Sequence, residues 1–225
     1  MQMLWKDKLR AIKKDWKNTF PYRPYFNRNK CIFIHIPKTA GTSILSCLAQ
    51  GKQFYRDHAT WFDYYKYNPI KFNNYYKFTF VRNPYARLKS VYQYLMRGGN
   101  KGDDLILKEH LNKVAPNFER FVCDFLNEHT IYEHVLFMPQ YLFIYNWKLN
   151  LKVDFIGYYE TLEEDFRKIV TQTKCGGSRL QKLNNSPLEE RNYCEYFKNT
   201  EVIENIAKLY ARDFELLRYS CDPLI

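Results

Sequence analysis

Residues 31–48, CIFIHIPKTAGTSILSCL, constrain the fold more than any other part of the chain. They open with an apolar run, residues 31–36, of the kind found in parallel strands covered on both faces. Pro37-Lys38-Thr39-Ala40-Gly41 breaks the run. From Thr42 onward Ile44, Leu45 and Leu48 recur at helical spacing, so the strand turns tightly into a helix. A strand, a tight loop and a helix N-terminus together make an anion site. The first amides of the helix lack internal partners, and the helix dipole places partial positive charge there. Gly41 permits close backbone approach, Thr39, Thr42 and Ser43 carry hydroxyls, and Lys38 carries a full charge. The loop therefore reads as a phosphate cradle. A capped buried helix beside a chance lysine is the plainer alternative, but it leaves the gathering of these side chains in one loop unexplained.

Composition narrows the partner. At 225 residues the chain fits one domain, and its 46% hydrophobic content supports a substantial core. The formal net charge of +11 implies an anionic partner: a nucleotide, an acidic glycan, nucleic acid or a membrane surface. Cys31, Cys47, Cys123, Cys175, Cys194 and Cys221 form no C-x-x-C pair, which argues against a zinc site. A chain this size with so few cysteines is expected to be reduced and cytoplasmic. No apolar segment reaches the ~18 residues that span a bilayer, and no signal-peptide core is visible.

In chain order, residues 3–18 read as a basic amphipathic helix with Trp5, Leu9, Ile12 and Trp16 on one side. Such a helix packs its stripe on the domain, lies on an anionic membrane or lines an acidic substrate path. Residues 20–24 read as an extended connector, because a proline disfavours helix at the residue before it. Residues 53–56 read as a short strand leading to a loop with His58, after which Thr60 caps a helix through Tyr67. Residues 77–81 make another strand, and Pro84 opens a helix to Met96 ended by Gly98-Gly99. Arg82 thus sits at a strand's C-terminal end and Ser90 about two turns into the next helix, at the edge where open α/β sheets bind ligands. Helices are expected near residues 105–114 and 117–127. Residues 152–158 form a strand, Thr161 and Glu164 suggest a capping box for a helix through Thr173, and a final helix runs from Thr200 to Arg218. His110, His129 and His134 show no metal-ligand spacing.

Two of these stretches resemble a known family. The lysine precedes the glycine in P-K-x-x-G-T-S, unlike a Walker A loop, and this order resembles the 5′-phosphosulfate loop of sulfotransferases. The leading His35-Ile36-Pro37 looks like the carbohydrate (family 2, heparan/chondroitin-type) branch. The run V-R-N-P-Y-x-R-L-x-S-x-Y, residues 81–92, resembles the 3′-phosphate motif of the same enzymes. The resemblance spans roughly residues 31–219. It implies an α/β fold with a central parallel sheet flanked by helices on both faces. It also implies transfer of a sulfuryl group from 3′-phosphoadenosine 5′-phosphosulfate (PAPS) to an acceptor hydroxyl, probed below, with adenosine 3′,5′-bisphosphate (PAP) released and no metal needed. Lys38, Thr39, Ala40, Gly41, Thr42 and Ser43 would hold the 5′-phosphate, and Arg82 and Ser90 the 3′-phosphate. Lys38 would also neutralise the leaving oxygen, and His58 would be the base. Arg87 stands as either another phosphate contact or an ordinary surface arginine. Glu160 stands as a catalytic group or, more plainly, a partner to a nearby base. Pro139-Gln140 is expected near the acceptor, and residues 179–195 over the cofactor. The carbohydrate branch favours a glycan acceptor and the charge an acidic one. Two other classes remain open from sequence: an ATP/magnesium phosphotransferase, which lacks the apolar strand ending in Asp that would hold the metal, and a non-catalytic module binding polyanions or membranes, for which no nucleic-acid motif is found.

Overall fold

The structure, a computed structural model, describes residues 19–173, 175, 180 and 197–222. The expected helix at residues 3–18 lies outside them, as do Lys182, Asn184, Asn185, Ser186 and Arg191 of the polar stretch.

The fold is α/β. Strands β1 (Cys31–Ile34), β2 (Tyr76–Val81) and β3 (Phe155–Tyr158) form a parallel sheet with β2 in the centre. Cys31 pairs with Tyr76 and Phe78 with Phe155. Because the strands run the same way, the loops after Ile34, Val81 and Tyr158 emerge at one edge. β1 is buried along its length, as its unbroken apolar run requires.

Helix α1 (Pro24–Asn29) precedes β1 and was not legible as a helix. Arg23 is extended (φ −59°, ψ 152°), as a residue before proline should be, yet Pro24 then takes the first helical turn, where its fixed φ suits it. Helix α2 (Gly41–Leu48) follows the loop after β1. Helix α3 (Trp61–Tyr67) carries a full capping box between Thr60 and Asp63, and α4 (Pro69–Asn74) is capped by Asn68. Helix α5 (Pro84–Met96) has the expected limits, with the Asn83 carboxamide accepting from the amides of Tyr85 and Ala86. Beyond it lie α6 (Asp103–Val114), α7 (Phe118–Arg120) running into a π-turn (Phe121–Phe125), α8 (Thr130–Glu133) and α9 (Tyr141–Ile144). After β3 come α10 (Leu162–Thr173), α11 (Thr200–Leu209) and α12 (Ala211–Leu217).

Two apolar clusters hold these layers together. One surrounds the sheet and includes Phe33, Phe78, Ile44, Leu48, Tyr64 and Phe166. The other joins α5 to α11 and α12 through Tyr85, Val91, Leu95, Phe121, Ile206 and Phe214. Each such side chain contributes about 1.5–3 kcal/mol on burial.

Three expected elements differ. Residues 53–56 form no strand: all but Phe54 are exposed, so no buried face favours pairing. At Thr161 the expected contact with Glu164 is replaced: the Thr161 hydroxyl donates to the Asp165 carboxylate (2.7 Å), which also accepts from the Tyr158 amide (3.0 Å). The last helix breaks at Tyr210 (φ −110°, ψ 23°). There the buried Tyr210 hydroxyl donates to the Phe137 carbonyl (2.7 Å), and the bend aims Asp213 at the start of α9.

Candidate active site

The loop after β1 has the shape of an anion cradle. Lys38 (φ 70°) and Ala40 (φ 66°) both lie in the left-handed region, uncommon for residues with a Cβ, with Thr39 between them. Alternating backbone of this kind turns amides toward a common centre. Ala40 is the N-cap of α2, and no side chain caps that helix, unlike α3 and α5. The Ser43 amide donates back to the Ala40 carbonyl (3.1 Å), while the amides of Gly41 and Thr42 have no partner among the described residues. Both are therefore available to an outside acceptor.

Two loop residues do a different job from the one expected. Thr39 is fully buried, and its hydroxyl donates to the Ile36 carbonyl (2.9 Å). It staples the loop, so its own offering to an anion is its amide. Gly41 is required by a neighbour: a Cβ there would overlap the His35 imidazole. The Lys38 ammonium lies 4.4 Å from the centroid of the Tyr94 ring on α5, within cation–π range.

Arg82 begins the loop after β2. The Gln140 carboxamide grips its backbone from both sides, accepting from the Arg82 amide (3.0 Å) and donating to the Arg82 carbonyl (2.8 Å). Gln140 is itself fully buried, and its amide donates to Asp213 (2.8 Å). It is a brace for the loop after β2. Held this way, the Arg82 guanidinium lies 4.2 Å from the Tyr159 ring centroid and donates through Nη1 to the Lys38 carbonyl (3.4 Å). Its charge thus sits directly against the loop after β1.

Ser90 is half-buried on α5. Arg87 and Tyr94, three and four residues away, both touch that same loop, so Ser90 lies on the loop-facing side of the helix. Arg87 is not a surface residue. It is 1% exposed and donates to the carbonyls of Pro37 (3.1 Å), Leu136 (3.1 Å) and Met138 (3.0 Å). Burial pulls its pKa below the usual arginine value, opposed by Tyr210 and Asp213. Glu160 accepts from the Asn83 amide (2.8 Å) and the Tyr219 hydroxyl (2.9 Å), tying the loops after β2 and β3 to the C-terminal segment rather than pairing with a base.

His58 comes from the irregular segment before α3. Its Nδ1 lies 3.0 Å from the His35 carbonyl. A carbonyl only accepts, so Nδ1 carries the proton and the lone pair is on Nε2. Burial lowers its pKa, with the hydrogen bond to His35 opposing and Arg87 adding to the effect. The imidazole is therefore neutral at pH 7, the state a general base requires. The His35 ring lies 4.4 Å from that of His58 and is held well below the usual histidine value by burial. No cluster of His, Cys, Asp and Glu suited to a metal ion occurs among the described residues.

A phosphate-shaped loop, an arginine folded against it and a neutral imidazole thus meet at the C-terminal edge of a parallel sheet. The family model described as "Sulfotransferase family" matches residues 25–220. The chain belongs to the sulfotransferase family. Membership supports sulfuryl transfer as the general activity, and sulfotransferases generally use PAPS and release PAP. An uncharacterized protein of Archaeoglobus fulgidus is 36% identical to this sulfotransferase over 100 residues, which is 44% of this chain and 68% of that protein. No solved structure matches. No helix among the described residues of this sulfotransferase is long and apolar enough to cross a membrane. Lys38, Arg82 and the 39–43 loop come together as the motifs suggested. The braces from Gln140, Asp213 and Arg87 had no sequence signal, because each depends on contacts far along the chain.

Proposed function

We propose that this sulfotransferase moves a sulfuryl group from PAPS to a hydroxyl of a carbohydrate acceptor and releases PAP. The observation that carries the reading is the contact between Arg82 and the loop of Lys38. The guanidinium against this loop supports a site for a nucleotide with both 5′ and 3′ phosphates. A guanidinium offers a planar fork of donors to phosphate oxygens, and Ser90 adds a neutral donor from the same side. A nucleotide without a 3′-phosphate leaves both unused.

Bound PAPS supplies the activated sulfuryl group. The Gly41 and Thr42 amides, the hydroxyls of Thr42 and Ser43, and the backbone at Thr39 and Ala40 hold the 5′-phosphate. Lys38 offsets negative charge that grows on the phosphate oxygen as its bond to sulfur breaks. Nε2 of His58 takes the acceptor proton as the new oxygen–sulfur bond forms. The net charge of +11 favours an acidic glycan, through long-range steering.

His58→Ala is expected to bind PAP as the unaltered protein does and to lose about 10²–10⁴-fold in transfer. The check is transfer of labelled sulfate from PAPS to desulfated heparin, chondroitin and neutral oligosaccharides, with PAP affinity measured in parallel. The rate of the unaltered protein should rise with pH, with a midpoint below the ordinary histidine value because the free base does the work. Undiminished transfer by His58→Ala would assign the base to another residue.

A further inference from the structure

We propose that Arg23 and Asp57 form a positioning pair that fixes the tautomer and orientation of His58 through the backbone between Asp57 and His58. The inference rests on the reading of His58 as the base. Arg23 lies before the residues matched by the family model.

The segment at residues 51–60 contains no helix or strand, yet it carries His58. Among the contacts that hold it there, two bear directly on His58 or on the residue before it. One is the hydrogen bond from Nδ1 of His58 to the His35 carbonyl (3.0 Å). The other is Asp57, whose carboxylate accepts a two-pronged pair of bonds from Arg23, Nε to Oδ2 at 2.6 Å and Nη2 to Oδ1 at 2.8 Å. The side chains are 7% and 21% exposed. The Arg23 guanidinium also lies 4.1 Å from the centroid of the Tyr55 ring.

Arg23 is itself immobilised. Its carbonyl accepts from the amides of Phe26 (2.9 Å) and Asn27 (3.2 Å) at the start of α1, and α1 buries Tyr25 and Phe26 in the core around the sheet. The pair therefore links the base segment to the scaffold. A two-pronged arginine–carboxylate contact fixes direction as well as distance. Stability alone is a weak reason to bury such a pair, since desolvation offsets much of the attraction.

The pair also acts electrostatically. The charged and titratable groups facing His58 are Asp57 and Arg56 on its own segment, Arg87 from α5, and His35 beyond β1. Asp57 favours the imidazolium, and Arg23 sets the opposite charge against its carboxylate. Removing Arg23 leaves a bare carboxylate beside His58. Removing the Asp57 charge does the reverse.

The test is ¹⁵N NMR of the histidine rings in the full chain saturated with PAP. The His58→Ala spectrum assigns the resonance among the five histidines. In the unaltered protein, His58 should show the single neutral tautomer protonated at Nδ1. Arg23→Gln should mix the tautomers and move the titration midpoint to higher pH. Asp57→Asn should also mix them but move the midpoint to lower pH. PAP affinity should stay within about twofold in both. A merely structural tether would not shift the midpoint in opposite directions. If Arg23→Gln fails to fold by circular dichroism, Asp57→Asn and Arg23→Lys carry the test. Folded variants in which His58 keeps both its tautomer and its midpoint would overturn the proposal. Full transfer by His58→Ala would instead sink the reading of the base and leave the NMR result standing.

Discussion

Replacing Lys38 with alanine is expected to lower sulfuryl transfer by about 10²–10³-fold or more, with the fold intact. The backbone does not oppose the change: Lys38 already sits at φ 70° with a Cβ, so alanine adds no new clash there. What disappears is a full positive charge beside the turn that presents the Thr39, Gly41 and Thr42 amides. That charge matters most as the leaving oxygen becomes negative, so the loss should fall mainly on the rate of transfer and less on PAP affinity. Arginine should not restore the rate. Its flat, extended fork cannot reproduce a compact ammonium aimed at one oxygen, and the Tyr94 ring beneath Lys38 fixes that aim. Single-turnover transfer from labelled PAPS reads the effect, with circular dichroism as the check on folding. A rate equal to that of the unaltered protein would remove Lys38 from the reaction.

Arg87→Met should destabilise the protein by about 3–5 kcal/mol, as breaking a buried charged network does. Methionine fills similar volume but donates nothing. The carbonyls of Pro37, Leu136 and Met138 then lose their donor inside the protein, at about 1–3 kcal/mol for each left unsatisfied. The buried Asp213 also loses the positive charge that opposes the upward push of burial on its pKa. For a chain of this length the change corresponds to a fall in Tm of roughly 10 °C. PAP affinity should fall as well, because the bond to Pro37 ties the phosphate loop to α5. Thermal and denaturant unfolding measure the first effect and calorimetry the second. Stability close to that of the unaltered protein would show that water or a shifted side chain replaces the arginine.

These two residues also mark what the sequence discloses. Lys38 was legible because its meaning is local: a strand, a break and a helix start within residues 31–48 define the loop. The α5 limits were legible for the same reason, through Asn83 and Pro84 at one end and Gly98 and Gly99 at the other. Arg87 was not, because its partners at Leu136 and Met138 lie 49 and 51 positions away. Nothing local distinguishes a buried arginine from an exposed one. The bend at Tyr210 follows the same logic. The periodicity of residues 200–218 favours one helix, but Asp213 must meet the Gln140 and Tyr141 amides across 73 and 72 positions. The Thr39 hydroxyl misled in the other direction: a residue type suited to phosphate was used to close the loop on Ile36.

The central claim is that the loop after β1 and the Arg82–Ser90 element together hold a nucleotide with phosphates at both 5′ and 3′ positions. Calorimetric titration of the purified protein with PAP in the absence of metal, and separately with ATP and magnesium, tests it most directly. The account predicts tight PAP binding without metal, weakened by Arg82→Ala, and little binding of ATP. Magnesium-dependent ATP binding tighter than that of PAP, or no binding of either nucleotide, would contradict it.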